Sequence, residues 1–326
     1  MVHLRIVAPH EQAEAAMEVL CRTESVCNVV ALPGRARRPD GDVILCDVAR
    51  EDASVVIGDL KRLGIHRDGS IALEVIDTEI SRFADAAEKH AKGVPADAVV
   101  WEEVEATTNE NVELSGAFLA FMVLAALIAA VGVFLDSPIL IVGAMVVGPE
   151  FGPIAGICVA IVQRQPSLAA RSAGALAVGF PLAMTATFVA TLLFKATGVT
   201  PQDFSAQNHG IANVISSPDF FAFFVAACAG AAGMLSLSTS KSGALIGVLI
   251  SVTTIPAAAN VGVTAAYADW EGWRGSLGQL AVNSTAIMLA GSATLYVQRV
   301  LYRRRLRRHE REEAVAAARP AELARS

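Results

Sequence analysis

PILIVGAMVVGPEFGPIAGICVAIV, residues 138–162, is long and apolar enough to cross a bilayer, yet near its middle it holds Gly148-Pro149, the carboxylate of Glu150, and Gly152-Pro153. A helix facing lipid avoids all of these. Proline removes an amide donor, and hydrocarbon supplies no water to the carbonyls this frees. A charge at bilayer depth adds at least about 2.5–3.5 kcal/mol on insertion scales. The stretch therefore predicts a helix interrupted at both Gly-Pro steps inside the membrane. Protein or a wet cavity must then satisfy the carbonyls, with Glu150 facing a cavity or a cation, or held protonated.

The rest of the composition agrees with a polytopic membrane protein. Of 326 residues 54% are hydrophobic and 18% charged, and the mean hydropathy is +0.50, too apolar for an ordinary soluble domain. Six segments of spanning length are expected, at 114–135, 138–162, 173–194, 220–237, 243–266 and 277–298. The polar connector 195–219 reads as an external loop. Arg164, Arg171, Lys241 and the arginines from Arg303 to Arg308 all fall on one side of such a chain, and only Lys195 and Arg274 on the other. The positive-inside rule then predicts a multi-pass protein of the plasma membrane with both termini cytoplasmic. No removable leader is read at the N-terminus. Trp270 and Trp273, placed at the outer end of span five, suit either an interfacial anchor or packing.

A second proline, Pro256 in SVTTIPAAANVG, interrupts span five and stands 107 positions after Pro149 (256 minus 149). The same shift carries the head of span one to the head of span four, and that of span three to span six. Three spans per half is an odd number, so the second half must run the opposite way. This is a 3+3 inverted repeat with broken second and fifth helices, which in such folds enclose a site near the midplane. The carbonyls at Gly148, Pro149, Gly152 and Pro153, with Glu150, are the expected ligands from the first half. Thr253, Thr254, Pro256 and Asn260 are those of the fifth span, and Asn283 that of the sixth. Singly, the neutral ones read more readily as interhelical hydrogen-bonders. Gly230 and Gly233 in span four read as close-packing positions.

Ahead of the spans, residues 1–77 alternate short apolar runs, LRIVA, VCNVVAL, DVILCDV and SIALEVI, with two helical stretches at 11–20 and 51–63. That order predicts a cytoplasmic α+β ferredoxin-like domain for regulation or assembly, its residues 33–42 forming an exposed hairpin connection. Residues 78–113 read as an acidic helical connector with a solvated face, 114–302 as the six-span domain and 303–326 as a basic tail. The five cysteines are scattered without ligand spacing and none of the six histidines lies in a span. No enzyme, cofactor, metal or nucleic-acid partner is expected. The partners expected are the lipid bilayer, a small ion or polar solute, and further copies of the chain.

The stretch LDSPILIVGAMVVGPEFGPIAG, residues 135–156, resembles a family of uncharacterised hydrophobic membrane proteins catalogued as domain of unknown function 389. The resemblance extends to the N-terminal sandwich, the proline-bearing fifth span and the sixth span with Asn283, and marks Glu150 as a subgroup feature. It implies a six-span membrane unit and names no substrate. The expected function is a permease, transporter or channel, with its site at the broken helices. The alternative is a non-transporting scaffold or sensor whose soluble domain oligomerises or binds a ligand.

Overall fold

The computed structural model describes residues 1–76, 78–91, 98–201, 203–239 and 254–323, with side chains except at 305 and 308–323. Thr253, Lys241 and the first part of the expected fifth span, 243–252, lie outside the described residues. Two compact units form: Met1–Val104, Ser238–Lys241 and Leu301–Ser326 make one, and Glu105–Leu237 with Ser242–Val300 the other.

The first unit runs β1 (Val2–Ala8), α1 (His10–Arg22), β2 (Val26–Arg37), β3 (Asp40–Val48), α2 (Arg50–Arg62), the short α3 (Ile65–Asp68) and β4 (Ser70–Val75). The strands pair antiparallel in the order β2-β3-β1-β4. Alternation along β1 turns Val2, Leu4, Ile6 and Ala8 to the helices, where they meet Ala13, Ala16 and Leu20 of α1 and Ala53, Val56, Ile57 and Leu60 of α2. The segment 33–42 forms the exposed hairpin connection that the sequence suggested, with its turn at Arg38 and Pro39. Strand pairing continues through it to Arg37↔Asp40, because register shifts in β2 absorb its glycine and proline.

Two helices follow, α4 (Arg82–His90) and α5 (Trp101–Asn111). The acidic start of α5 is not the solvated face expected. Glu103 pairs with Arg50 at 2.7 Å, and Glu102 accepts from Ser54 at 2.7 Å and from Lys61 at 3.0 Å. Beside them Val100 and Val104 are fully buried. Its carboxylates neutralise the basic residues of α2 that would otherwise face this apolar contact.

The helices α6 (Gly116–Phe134), α7 (Pro138–Val147), α8 (Phe151–Gln163), α9 (Pro166–Ala196), α10 (Gly210–Ile215), α11 (Phe220–Ser238), α12 (Ile255–Ala266) and α13 (Trp270–Leu323) follow in turn, and the second unit takes α11 as far as Leu237 and α13 as far as Val300. α6, α9, α11 and the Trp270–Arg304 part of α13 are each long and apolar enough to cross a membrane, and α7 and α8 reach that length only as a pair, bent by 56° at the break between them. These are the helices of a membrane protein. The connector 195–219 is not a bare loop. Asp136 Oδ1 accepts from Ile211 N at 2.7 Å at the start of α10, and Phe204 packs on Phe134, Tyr267 and His209. Trp270 and Trp273 open the last helix instead of closing span five, and α9 and α13 both begin about two turns earlier than the hydropathy implied. Both extensions are polar helix starts that a hydropathy window discards.

Two of the apolar clusters among the described residues join the halves of the unit. One joins α6, α7, α9 and α12 through Met122, Ala126, Ala144, Ala183, Ile255, Ala259 and Val263. The other joins Ile154 of α8 to Ala226 and Ala229 of α11 and to Ala286 and Ile287 of α13. Each of the short helices α8 and α12 thus packs against spans of the opposite half of the chain, while α8 also lies along α9.

Candidate functional site

The break in the second span is confined to Gly148, Pro149 and Glu150, which separate α7 from α8. The expected second interruption, at Gly152-Pro153, does not occur. Pro153 sits in the first turn of α8, where an amide has no intrahelical acceptor to lose. Gly152 serves packing: a Cβ there would stand 2.6 Å from the Asn111 carbonyl oxygen. Pro256 occupies the matching first-turn position of α12, whose N-terminal boundary residue is Thr254.

These two helix starts meet. Glu150 is fully buried, and Thr254, also fully buried, donates from Oγ1 to Glu150 Oε1 at 2.7 Å. The partial positive charge at two helix N-termini favours a negative group placed between them.

Helix register brings in a third residue. Ile154 and Ile287 share one apolar cluster, and Cys158 lies by Gly291, its Sγ 3.1 Å from where a Cβ there would stand. α8 and α13 therefore run parallel in step, four residues against four. One turn back from Ile154 is Glu150, and one turn back from Ile287 is Asn283, at the same level. α12 gives the same answer independently. Asn260 Nδ2 donates to Ser276 Oγ at 2.8 Å, and Ala257 and Ala258 meet Leu280, so α12 and α13 are antiparallel. Six residues back along α12 from Asn260 is Thr254, and seven residues on from Ser276 is Asn283; both steps cover roughly 10 Å. Glu150, Thr254 and Asn283 thus share one level of the bundle.

Asn260 does not join them, since it lies about 10 Å along α12 beside Ser276 and the carbonyl of Ala212. Two residues escaped the sequence reading. Gln279 is buried and donates from Nε2 to Asn283 Oδ1 at 3.2 Å, and Ser276 is fully buried one turn before it. Their signal was present in the spacing Ser276, Gln279, Asn283, which puts all three on one helical face of an apolar span. A recess beside α9, lined by Val112, Glu113, Ser115, Arg171 and Gly174, includes none of the expected site residues.

Comparison with known proteins bears on the same region. An uncharacterized protein of Methanocaldococcus jannaschii is 26% identical over 165 residues, which cover 51% of this chain and 49% of that protein, so the match spans about half the length of each. No solved structure matches. The profile described as domain of unknown function 389 matches residues 145–289, from the end of α7 into α13, a range that includes the two proline-started helices with Glu150, Thr254 and Asn283.

Proposed function

We propose that the helical unit is a membrane permease for a small ion or polar solute, with Glu150, Thr254 and Asn283 at its binding site and the arms of an inverted 3+3 repeat around it. The observation that carries the reading is the hydrogen bond from Thr254 to Glu150, which joins a buried carboxylate at one helix break to the start of the other proline-led helix. An ordinary structural polar pair in a bundle does not need two proline-led helix starts to present it. The helix directions are those of alternating crossings. Gly230 lies against Ile287, and Met234 against Gly291, so α11 runs with α13, as α8 does. Spans two, four and six then share a sense, as alternating crossings require.

The test is solute flux in proteoliposomes, screened over monovalent ions, protons and small polar solutes. Wild-type protein moves at least one of them down an imposed gradient, and Glu150→Gln removes that flux while the protein stays monodisperse. Flux unaffected by Glu150→Gln, or none for any solute, overturns the reading.

One observation favours the alternative, a scaffold that acts through its soluble unit. On the sheet face away from α1 and α2, Val30 and Leu32 are 47% and 41% exposed beside Leu45 and Val43. Such an apolar face suits association with a second copy. Leu32→Asp that splits an oligomer and abolishes cellular function, with no flux measurable in the parent protein, would establish it.

A further inference from the structure

We infer that the soluble unit carries a binding site for a divalent transition cation of the zinc type, ligated by Cys27, Asp47 and Glu79. The inference is independent of the permease reading. Strand pairing builds the site: Cys27 of β2 lies opposite Asp47 of β3, which lies opposite His3 of β1, so the three form one row across the sheet. All three point to the face that α1 and α2 leave open. Glu79 reaches the row from the segment after β4. The Cys27 sulfur and one carboxylate oxygen each from Asp47 and Glu79 lie within 4.8 Å of one another. Metal bonds of about 2.0–2.3 Å need only a small inward movement from that spacing.

The surroundings hold the carboxylates in place. Asn28 Nδ2 donates to Asp47 Oδ2 at 2.7 Å and to Glu79 Oε1 at 2.9 Å. A register shift between Cys27 and Val30 puts Asn28 at φ 52°, in the left-handed region, which lets its amide reach both acids. His3 Nδ1 lies 2.6 Å from Asp47 Oδ1, the outer partner that metal-binding carboxylates and imidazoles commonly share.

An independent observation points to a ligand. Glu79 Oε2 is buried and accepts no hydrogen bond among the described residues. Three groups that are all negative when deprotonated have been gathered where a cation between them would relieve the repulsion. The donor set, one thiolate and two carboxylates with a fourth position open to water, suits a borderline cation better than calcium or magnesium. On binding, the Cys27 S–H gives its proton to solvent and the thiolate bonds the metal, so one proton leaves for each ion bound.

The test uses the full chain in detergent, stripped with chelator and titrated with cobalt(II) as a spectroscopic probe. We expect one cobalt per chain, with thiolate-to-cobalt charge-transfer absorption in the near ultraviolet. Cys27→Ser removes the absorption, while Asp47→Asn and Glu79→Gln each weaken cobalt binding at least tenfold. Absence of the band in the parent protein, or its persistence in Cys27→Ser, overturns the site. If Cys27→Ser does not fold, unchanged affinity in both carboxylate variants overturns it equally.

Discussion

α8 and α12 are two versions of one device, and they differ at the residue that begins them. Each is short, 13 and 12 residues, each carries proline in its first turn, and each is packed against helices from the other half of the chain. Yet α8 begins after Glu150 and α12 after Thr254. One supplies a carboxyl group and the other a hydroxyl donor. A duplicated scaffold that was only structural would gain nothing from this inequality, because a buried carboxylate is costly wherever it is placed. The likeness of the two helices is a matter of packing, and their difference is a matter of chemistry.

The sharpest way to break the likeness is to wedge one helix out. A Cβ on Gly262 of α12 would stand 2.5 Å from the Met184 carbonyl oxygen of α9, and one on Gly152 of α8 would stand 2.6 Å from that of Asn111. Both obstacles are backbone, which cannot swing aside. Gly262→Leu and Gly152→Leu should each cost about 3 kcal/mol through overpacking. Loss of monodisperse protein and a lower thermal midpoint in detergent would show it. Equal losses support equivalent helices, whereas tolerance at one alone removes the equivalence.

The chemical difference is measured by a double-mutant cycle on Glu150→Gln and Thr254→Val. A hydrogen bond to a charged group is worth about 1.5–3 kcal/mol, so a coupling near 2 kcal/mol in thermal or denaturant unfolding is expected with the carboxylate ionised. A coupling near zero would mean that the 2.7 Å contact contributes nothing and the two helix starts are not joined. Thr254→Ser keeps the donor and should retain most of the coupling.

Asn260 sharpens the boundary of the site. Its amide holds Ser276 at 2.8 Å, away from the level of Glu150. Asn260→Leu should therefore cost about 1 kcal/mol of stability, the net worth of an ordinary hydrogen bond, and leave any flux intact. A variant that folds normally but transports nothing would extend the site a further two turns along α12.

What could be read in advance follows from the kind of signal involved. The break at Pro149 and the isolation of Glu150 were legible because a proline and a carboxylate are each anomalous in an apolar run, whatever surrounds them. The four strands were legible through their period of two. Pro153 misled because proline is tolerated or disruptive according to its position in a turn, and only the location of the helix start decides which. The acidic start of α5 misled because its partners, Arg50, Ser54 and Lys61, lie some forty to fifty positions earlier. The row of Cys27, Asp47 and His3 was invisible for the same reason, since ligand spacing along the chain says nothing of residues that strand register sets side by side.

The smallest effect concerns how a helix is begun. α6 starts conventionally: Ser115 Oγ accepts from Phe118 N at 3.1 Å, whereas neither Glu150 nor Thr254 caps its own helix with its side chain. Both turn instead to each other, leaving the first turns to rely on proline, which has no amide to satisfy. Ser115→Ala should cost about 1 kcal/mol, the usual worth of a cap. Thr254→Ala should cost more than this, although Thr254 makes no cap bond, because what it abandons is a buried carboxylate and not an amide open to other acceptors. Thermal midpoints of the two variants in the same detergent decide the order. If Ser115→Ala is the more damaging, Thr254 is ordinary helix-end polarity, and the inequality between α8 and α12 carries no chemical meaning.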